Sequence, residues 1–142
     1  MTVYIDTSVL VAYYCPETLS EKVEAFITAQ RELAISAITE IEMFSALSRK
    51  VREKAIDRLD AGRVTAKFIS HLDGHYFTYL PVEAHHVRLA RDWIGMFKLS
   101  LRTLDALHLA IASSEGFSIV TTDRSLSKSA KGLGLSSILL EK

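Results

Sequence analysis

The chain has 142 residues with 17 basic and 17 acidic side chains, a length that fits a single domain over residues 1–142. Its one cysteine, Cys15, excludes an internal disulfide and a cysteine-ligated zinc site and suits a cytoplasmic protein, and no apolar run approaches the ~20 residues of a membrane span. The zero net charge argues mildly against nucleic-acid binding, although acids gathered around a bound cation would leave the remaining surface basic.

Short runs rich in β-branched and aromatic residues alternate with longer helical patterns along the chain. In chain order, we predict strand 2–5, helix 7–14, helix 20–29, strand 33–35, helix 38–52, helix 54–72, strand 76–80, helix 82–97, helix 104–114, strand 118–121, helix 125–131 and strand 136–140. This alternation predicts an α/β sandwich with a mainly parallel sheet. Sites in such sheets form outside the carboxyl ends of the strands, so the residues that follow each strand are the first candidates.

Two aspartates come directly after or just beyond predicted strands. Asp6 follows the first strand, and Asp123 follows the strand at 118–121. Each also precedes a predicted helix, where aspartate is a favoured N-cap residue. The sequence therefore leaves two interpretations open for each of them, a helix cap and a site residue.

A glutamate candidate lies in the helix predicted at 38–52, where two glutamates compete. Glu42 stands three residues after Thr39, which is the spacing of a capping box. On a helical wheel, Glu42 borders the apolar arc, whereas Glu40 falls within it. Periodicity alone does not choose between the two side chains.

Asp105 stands among leucines and alanines in the helix predicted at 104–114. An acid in a first helical turn interacts well with the helix dipole, but an unpaired carboxylate in apolar surroundings is unfavourable. We therefore expect a cation or a hydrogen-bonding partner beside it. Several carboxylates around one cavity repel one another unless a divalent cation neutralises them, and such oxygen ligands suit Mg²⁺ or Mn²⁺.

Four segments carry a resemblance to a known family. They are VYIDTS at 3–8, EMFSAL at 42–47, LRTLDALHLA at 101–110 and VTTD at 120–123. In this order and over nearly the whole chain, they resemble the PIN-domain ribonucleases, especially the VapC-like toxins of toxin–antitoxin pairs. The register of the second segment matches Glu42, and not Glu40, to the family's glutamate.

The resemblance implies an α/β architecture, a three-layer α/β/α PIN-like fold with a mainly parallel five-stranded sheet. It implies cleavage of RNA phosphodiester bonds with Mg²⁺ or Mn²⁺ as cofactor. It also implies a cognate antitoxin protein as partner and a homodimer. The catalytic and metal-binding residues that it implies are Asp6, Glu42, Asp105 and Asp123.

Other side chains near these motifs have supporting or structural interpretations. Candidates for orienting the carboxylates are Thr7, Ser8 and Thr121, and candidates for pairing a phosphate are Arg102 and Arg124. The adjacent pair His85 and His86 is expected at the surface, and His108 is expected to be a satisfied structural histidine.

Two rival functions are weighed against the nuclease. A haloacid-dehalogenase-type phosphatase needs a second aspartate two positions after the first, where this chain has Ser8. A receiver domain needs a phospho-accepting aspartate after a central strand, and residues 76–82 contain none. A non-catalytic PIN module that binds RNA or protein is the alternative of another class. The complete set of four acids disfavours it.

Overall fold

The sheet of this protein is parallel throughout. The structure is a computed structural model that describes residues 2–142. Within them, the strands are β1 Thr2–Ile5, β2 Glu32–Ser36, β3 Thr78–Leu80, β4 Ser118–Thr121 and β5 Ser137–Leu139. The helices are α1 Thr7–Tyr14, α2 Ser20–Thr28, α3 Ala37–Arg52, α4 Arg58–Asp73, α5 Ala84–Ile94, α6 Thr103–Ser114 and α7 Arg124–Gly132. The strand order is β3-β2-β1-β4-β5, so every carboxyl end lies at the same edge.

Helices cover both faces of the sheet, which confirms the predicted three-layer α/β/α fold. The core on one face joins Val3 and Ile5 of β1 to buried side chains of α1, α2, α3 and α4. The core on the other face joins Tyr4 of the same strand to α6 and α7, with Trp93 of α5 packed against it. Successive strand residues point to opposite faces, and an apolar run such as Val3-Tyr4-Ile5 is therefore buried on both sides.

Three predicted elements differ from the structure by two residues or more at one or both ends, and the other differences in bounds are of one residue. The helix predicted at 54–72 begins at Arg58, because Asp57 caps it and the backbone N–H of Ala55 still bonds back to Lys50 at the end of α3. The strand predicted at 76–80 is shorter, since the N–H of Tyr76 bonds to the carbonyl of His71 and extends the end of α4. The helix predicted at 82–97 covers only Ala84–Ile94. Among the helices of residues 2–142, none combines the length and apolar character that crossing a bilayer requires.

The central pair of strands defines the edge where the predicted acids follow. β1 and β4 are neighbours, with Ile5 opposite Val120. The backbone N–H of Asp6 continues this pairing by donating to the carbonyl of Val120 at 3.1 Å. Backbone hydrogen bonds alone thus hold the loops after these two strands side by side.

Candidate active site

All four predicted acids lie at the carboxyl edge of the sheet or on helices that begin there. Asp6 is the first residue after β1, and Asp123 comes two residues after β4. Glu42 lies in the second turn of α3, which starts directly after β2. Asp105 lies in the first turn of α6. Side-chain contacts between these elements bring the four acids into one region.

Asp6 is buried, with 5% of its surface exposed, and both of its carboxylate oxygens accept hydrogen bonds. Ser8 Oγ donates to Oδ1 and Thr121 Oγ1 donates to Oδ2, each at 2.6 Å. The N–H of Val9 also donates to Oδ1, so Asp6 is the N-cap of α1 as well. Burial raises the pKa of Asp6 above its usual value, although these hydrogen bonds act in the opposite direction. Its carboxylate is therefore well oriented, in surroundings where the negative charge calls for a nearby cation.

Two hydroxyl groups join the Asp6 loop to the Asp123 loop. Thr121 Oγ1, which donates to Asp6, accepts a hydrogen bond of 2.9 Å from the backbone N–H of Asp123. Ser8 Oγ, which also donates to Asp6, accepts one of 3.1 Å from the N–H of Thr122. The positions of the two aspartates are consequently linked by side chains and not only by strand pairing.

Arg102 connects the other two aspartates of the set. Its Nε lies 3.4 Å from Oδ2 of Asp105, and its Nη2 lies 3.7 Å from Oδ2 of Asp123. Burial raises the pKa of Asp105, and the negative charge of Asp123 raises it further, against the opposing effect of Arg102. Asp123 also caps α7 by accepting from the N–H of Ser125 at 2.8 Å. Both interpretations of Asp123, cap and neighbour of the other acids, thus hold in the structure.

Glu42 and Glu40 point to different parts of the surface. Glu42 Oε1 accepts hydrogen bonds from Thr7 Oγ1 at 2.7 Å and from His108 Nε2 at 2.5 Å, which places it beside the Asp6 loop. Glu40 instead accepts from the exposed hydroxyl of Tyr79 at 2.6 Å. The capping box of α3 is formed by residues 36 and 39, so the capping interpretation of Glu42 is wrong.

The charge of Glu42 is favoured by its partners. Burial opposes ionisation of this half-buried carboxyl, but the hydrogen bond and charge of His108, together with the hydroxyl of Thr7, outweigh it. The pKa of Glu42 therefore lies below its usual value. This is the opposite direction from Asp6 and Asp105, so the set includes one carboxyl whose ionisation the protein itself favours.

The contact between His108 and Glu42 was not anticipated from the sequence. His108 was expected to be structural and satisfied, and it is indeed buried and hydrogen-bonded on both ring nitrogens. Its second partner is Tyr4, whose hydroxyl lies 2.5 Å from Nδ1. The available signal was the spacing of His108 three residues after Asp105, which puts both on one face of α6.

A second group of metal-type ligands lies at the start of α5. Within residues 2–142, Glu83, His85 and His86 form the group whose ligand atoms all lie within 4.8 Å of one another. The Nδ1 of His86 accepts from the N–H of Glu83 at 2.9 Å and thereby caps α5. His86 is 4% exposed, so the prediction of a surface position is wrong for it, because capping draws the ring inward.

The chemistry of the acid set fits a hard divalent cation such as Mg²⁺ or Mn²⁺. All four side chains offer carboxylate oxygens, and because burial raises the pKa values of Asp6 and Asp105, a bound cation would stabilise their ionised forms. Within residues 2–142, no three of these acids bring ligand oxygens within 4.8 Å of one another.

An open groove of about 350 Å³ adjoins the acids. Its walls include Thr7 and Ser8, which bond to Glu42 and Asp6, and Thr122 of the loop after β4. Further along, its lining contains the cationic side chains of Arg49 and Lys50, and Lys50 pairs with Glu17 at 2.9 Å. The lining also contains Glu53, so two basic and two acidic side chains lie in this groove.

Comparison with known proteins gives consistent matches. The model of the family described as PIN domain matches residues 3–132. Ribonuclease VapC46 of Mycobacterium tuberculosis is 30% identical over 139 residues, which cover 96% of this chain and 95% of that protein.

Solved structures share the fold at lower identity. VapC20 of M. tuberculosis, described as a toxin that cleaves the sarcin–ricin loop, superimposes with a TM-score of 0.71 at 16% identity, covering 89% of this chain and 93% of that one. A chain of a toxin–antitoxin complex from Klebsiella pneumoniae gives a TM-score of 0.69 at 16% identity, covering 99% and 98%.

Proposed function

This chain belongs to the PIN domain family, and from that premise we propose that it is a metal-dependent ribonuclease that hydrolyses RNA phosphodiester bonds. The observation that carries the proposal is that the four acids lie in one region at the carboxyl edge of the sheet, where Thr121 links Asp6 to Asp123, Arg102 links Asp123 to Asp105, and Thr7 bonds to Glu42 beside Asp6. Hydrolysis of a phosphodiester by such a site is the established use of clustered carboxylates with Mg²⁺ or Mn²⁺.

Each acid has a role in the proposed reaction. Asp6, Asp105 and Asp123 would hold one or two cations, directly or through water, and Glu42 would contribute a further oxygen. When bound, such a cation would supply Lewis-acid activation of a water and compensation of the negative charge on the leaving oxygen. Ser8, Thr7 and Thr121 keep the carboxylates oriented through the hydrogen bonds that they donate. Products with 5′-phosphate and 3′-hydroxyl ends are expected.

We propose RNA in single-stranded or loop form as the substrate. Asp6 is nearly inaccessible, so the scissile phosphate must be presented on a splayed backbone. Arg102 is 77% exposed in its side chain and lies beside Asp105 and Asp123, where it can meet a phosphate. The groove that contains Arg49 is lined by Thr7 and Ser8, which bond to Glu42 and Asp6, and flanking nucleotides would lie there.

The biological role that we propose is that of a toxin in a toxin–antitoxin pair, acting in the cytoplasm as a homodimer. Its support is the match to VapC46 over nearly the full length of both chains and the fold shared with the K. pneumoniae complex. Induced expression should arrest growth, and co-expression of a small DNA-binding protein encoded beside the gene should relieve the arrest. Light scattering on the purified protein measures the homodimer directly.

The decisive experiment is cleavage of a mixed RNA pool by the purified protein. We expect cleavage with Mg²⁺ or Mn²⁺, none with EDTA, and loss of at least ~100-fold for Asp105→Asn, as for other groups that act on charge in the transition state. The matched control is Asp60→Asn, since Asp60 also lies in a first helical turn and pairs with an arginine at 3.4 Å, but on the exposed face of α4. RNA binding without cleavage in Mn²⁺ would instead identify a non-catalytic PIN module.

A further inference from the structure

A buried tyrosine and histidine stand behind Glu42. Tyr4 is 0% and His108 2% exposed. The hydroxyl of Tyr4 lies 2.5 Å from Nδ1 of His108, and Nε2 of His108 lies 2.5 Å from Oε1 of Glu42. These three side chains form one hydrogen-bonded line that runs from the core between β1 and α6 to the acid.

The direction of the hydrogen bonds follows from the acceptor. An ionised carboxylate only accepts, so Nε2 of His108 is the donor to Glu42. The hydroxyl of Tyr4 contacts the other ring nitrogen, Nδ1, and so holds the ring in the orientation that directs Nε2 at Glu42, as the outer partners of ligand histidines do elsewhere.

Both protein donors address the same oxygen of Glu42. Thr7 Oγ1 and His108 Nε2 donate to Oε1, at 2.7 and 2.5 Å. Oε2 receives no hydrogen bond from residues 2–142. Two donors on one oxygen fix the plane of the carboxylate and leave the other oxygen free for a ligand.

The same network connects the segments that carry three of the acids. The hydroxyl of Tyr4 is 2.8 Å from Ser36 Oγ and 3.3 Å from Thr39 Oγ1, the capping pair of α3. Tyr4 lies two residues before Asp6, and His108 lies three residues after Asp105 on α6. Displacement of the Tyr4 ring would therefore alter both the start of α3 and, through His108, the side chain of Glu42.

We propose that Tyr4 and His108 are positioning residues that hold the Glu42 carboxylate with its Oε2 toward the cation and substrate. The proposal rests on the metal-dependent nuclease function above and assigns it two residues outside the acid set. Neither residue touches the reacting atoms; both act through Glu42.

The test uses three variants of the full chain, Tyr4→Phe, His108→Gln and His108→Leu. Tyr4→Phe removes one hydroxyl and keeps the ring in the core. His108→Gln can return a donor near the position of Nε2, whereas His108→Leu cannot. We expect kcat for RNA cleavage to fall about 10- to 100-fold in Tyr4→Phe and His108→Leu with KM nearly unchanged, and His108→Gln to recover part of it.

The chain contains its own matched control pair. The hydroxyl of Tyr14 in α1 bonds to Nδ1 of His71 in α4, which is the same contact between the same residue types in the other core. Tyr14→Phe should lower stability as Tyr4→Phe does but leave kcat at the wild-type level. Equal loss of activity in Tyr14→Phe and Tyr4→Phe would mean that stability alone is affected and would overturn the proposal.

A second measurement separates this proposal from the nuclease function. Titration calorimetry with Mn²⁺ alone should show about 10-fold weaker binding in His108→Leu than in wild type, and wild-type binding in Tyr14→Phe. A wild-type protein that binds Mn²⁺ but cleaves no RNA would contradict the proposed function and not this inference. Unchanged Mn²⁺ affinity together with unchanged kcat in His108→Leu would contradict the inference alone.

Discussion

Thr121 Oγ1 donates a 2.6 Å hydrogen bond to Oδ2 of Asp6 and so joins the ends of two adjacent strands that lie 115 residues apart in the sequence. The same hydroxyl accepts from the N–H of Asp123. One threonine therefore orients one acid by its side chain and another by its backbone, and it does so in a fully buried position.

Replacement of this hydroxyl should affect both stability and activity. In Thr121→Val, Asp6 loses a donor and the N–H of Asp123 loses an acceptor, so we expect the free energy of unfolding to fall by about 1–3 kcal/mol. RNA cleavage should fall as well. Urea denaturation and cleavage rates measure the two effects, and Thr121→Ser, which keeps the hydroxyl, should remain close to wild type. A valine variant that matches the serine variant in both would contradict this prediction.

The pH dependence of stability should report the burial of Asp6. Because burial raises the pKa of Asp6, the folded state holds the proton more tightly than the unfolded state does. Its contribution to stability is complete below the ordinary carboxyl pKa of about 4 and is lost as pH rises through the raised value. Without metal, Asp6→Asn should thus be at least as stable as wild type at neutral pH. As pH rises from about 4 to neutral, the variant should lose less stability than wild type does. Thermal unfolding in EDTA across pH gives the comparison, and parallel curves would refute the prediction.

Addition of Mn²⁺ should offset, in the wild-type protein, the loss of stability that ionisation of buried Asp6 causes. A cation that binds only the folded state adds about 2.7 kcal/mol to the free energy of unfolding at one hundred times its Kd. We expect a higher Tm with Mn²⁺ for wild type and for the control Asp60→Asn, because Asp60 lies on the exposed side of α4. Asp6→Asn and Asp105→Asn should show little increase. A Tm increase of wild-type size in both site variants would exclude these carboxylates as ligands.

The two glutamates of α3 should differ sharply in function. Glu42→Gln should lower kcat by at least about 10-fold, since the amide offers a neutral oxygen in place of a carboxylate that Thr7 and His108 hold ionised. Glu40→Gln changes a side chain that bonds only to exposed Tyr79 within residues 2–142, and cleavage should stay at the wild-type rate. Initial cleavage rates decide the matter, and equal rates for the two variants would count against the assignment of Glu42.

Arg102 should influence RNA binding more than stability. Exposed ion pairs contribute little to folding, so Arg102→Ala should leave the Tm nearly unchanged. Loss of the guanidinium group of Arg102 beside Asp105 and Asp123 should raise KM for RNA and make KM less dependent on salt. The matched control is Arg63→Ala, whose arginine pairs with Asp60 at the same 3.4 Å on α4. A KM that stays constant in Arg102→Ala would show that this arginine does not meet phosphate.

Much of the architecture follows from local patterns. The alternation of strands and helices predicts the three layers correctly, because apolar periodicity depends on neighbours a few residues away. Two of the misplaced bounds, at the start of α4 and at the start of β3, share one cause: Asp57 and the turn after α4 form local hydrogen bonds that a hydrophobic pattern does not reveal. Asp6 and Asp123 were given two interpretations each, and the structure shows them as caps and as neighbours at the carboxyl edge at once.

The sequence by itself determined the fold class, the family resemblance and the presence of acids at strand ends. The resemblance matched Glu42, and not Glu40, to the family's glutamate, whereas periodicity left the choice open, and in the structure it is Glu42 that lies beside the Asp6 loop. Only the tertiary structure decided that Arg102 lies between two aspartates, and that Tyr4 and His108 stand behind Glu42. Glu42 meets Thr7 across 35 residues and His108 across 66, and His108 meets Tyr4 across 104. Such contacts depend on how α3 and α6 pack on the sheet, which no pattern within a single segment contains.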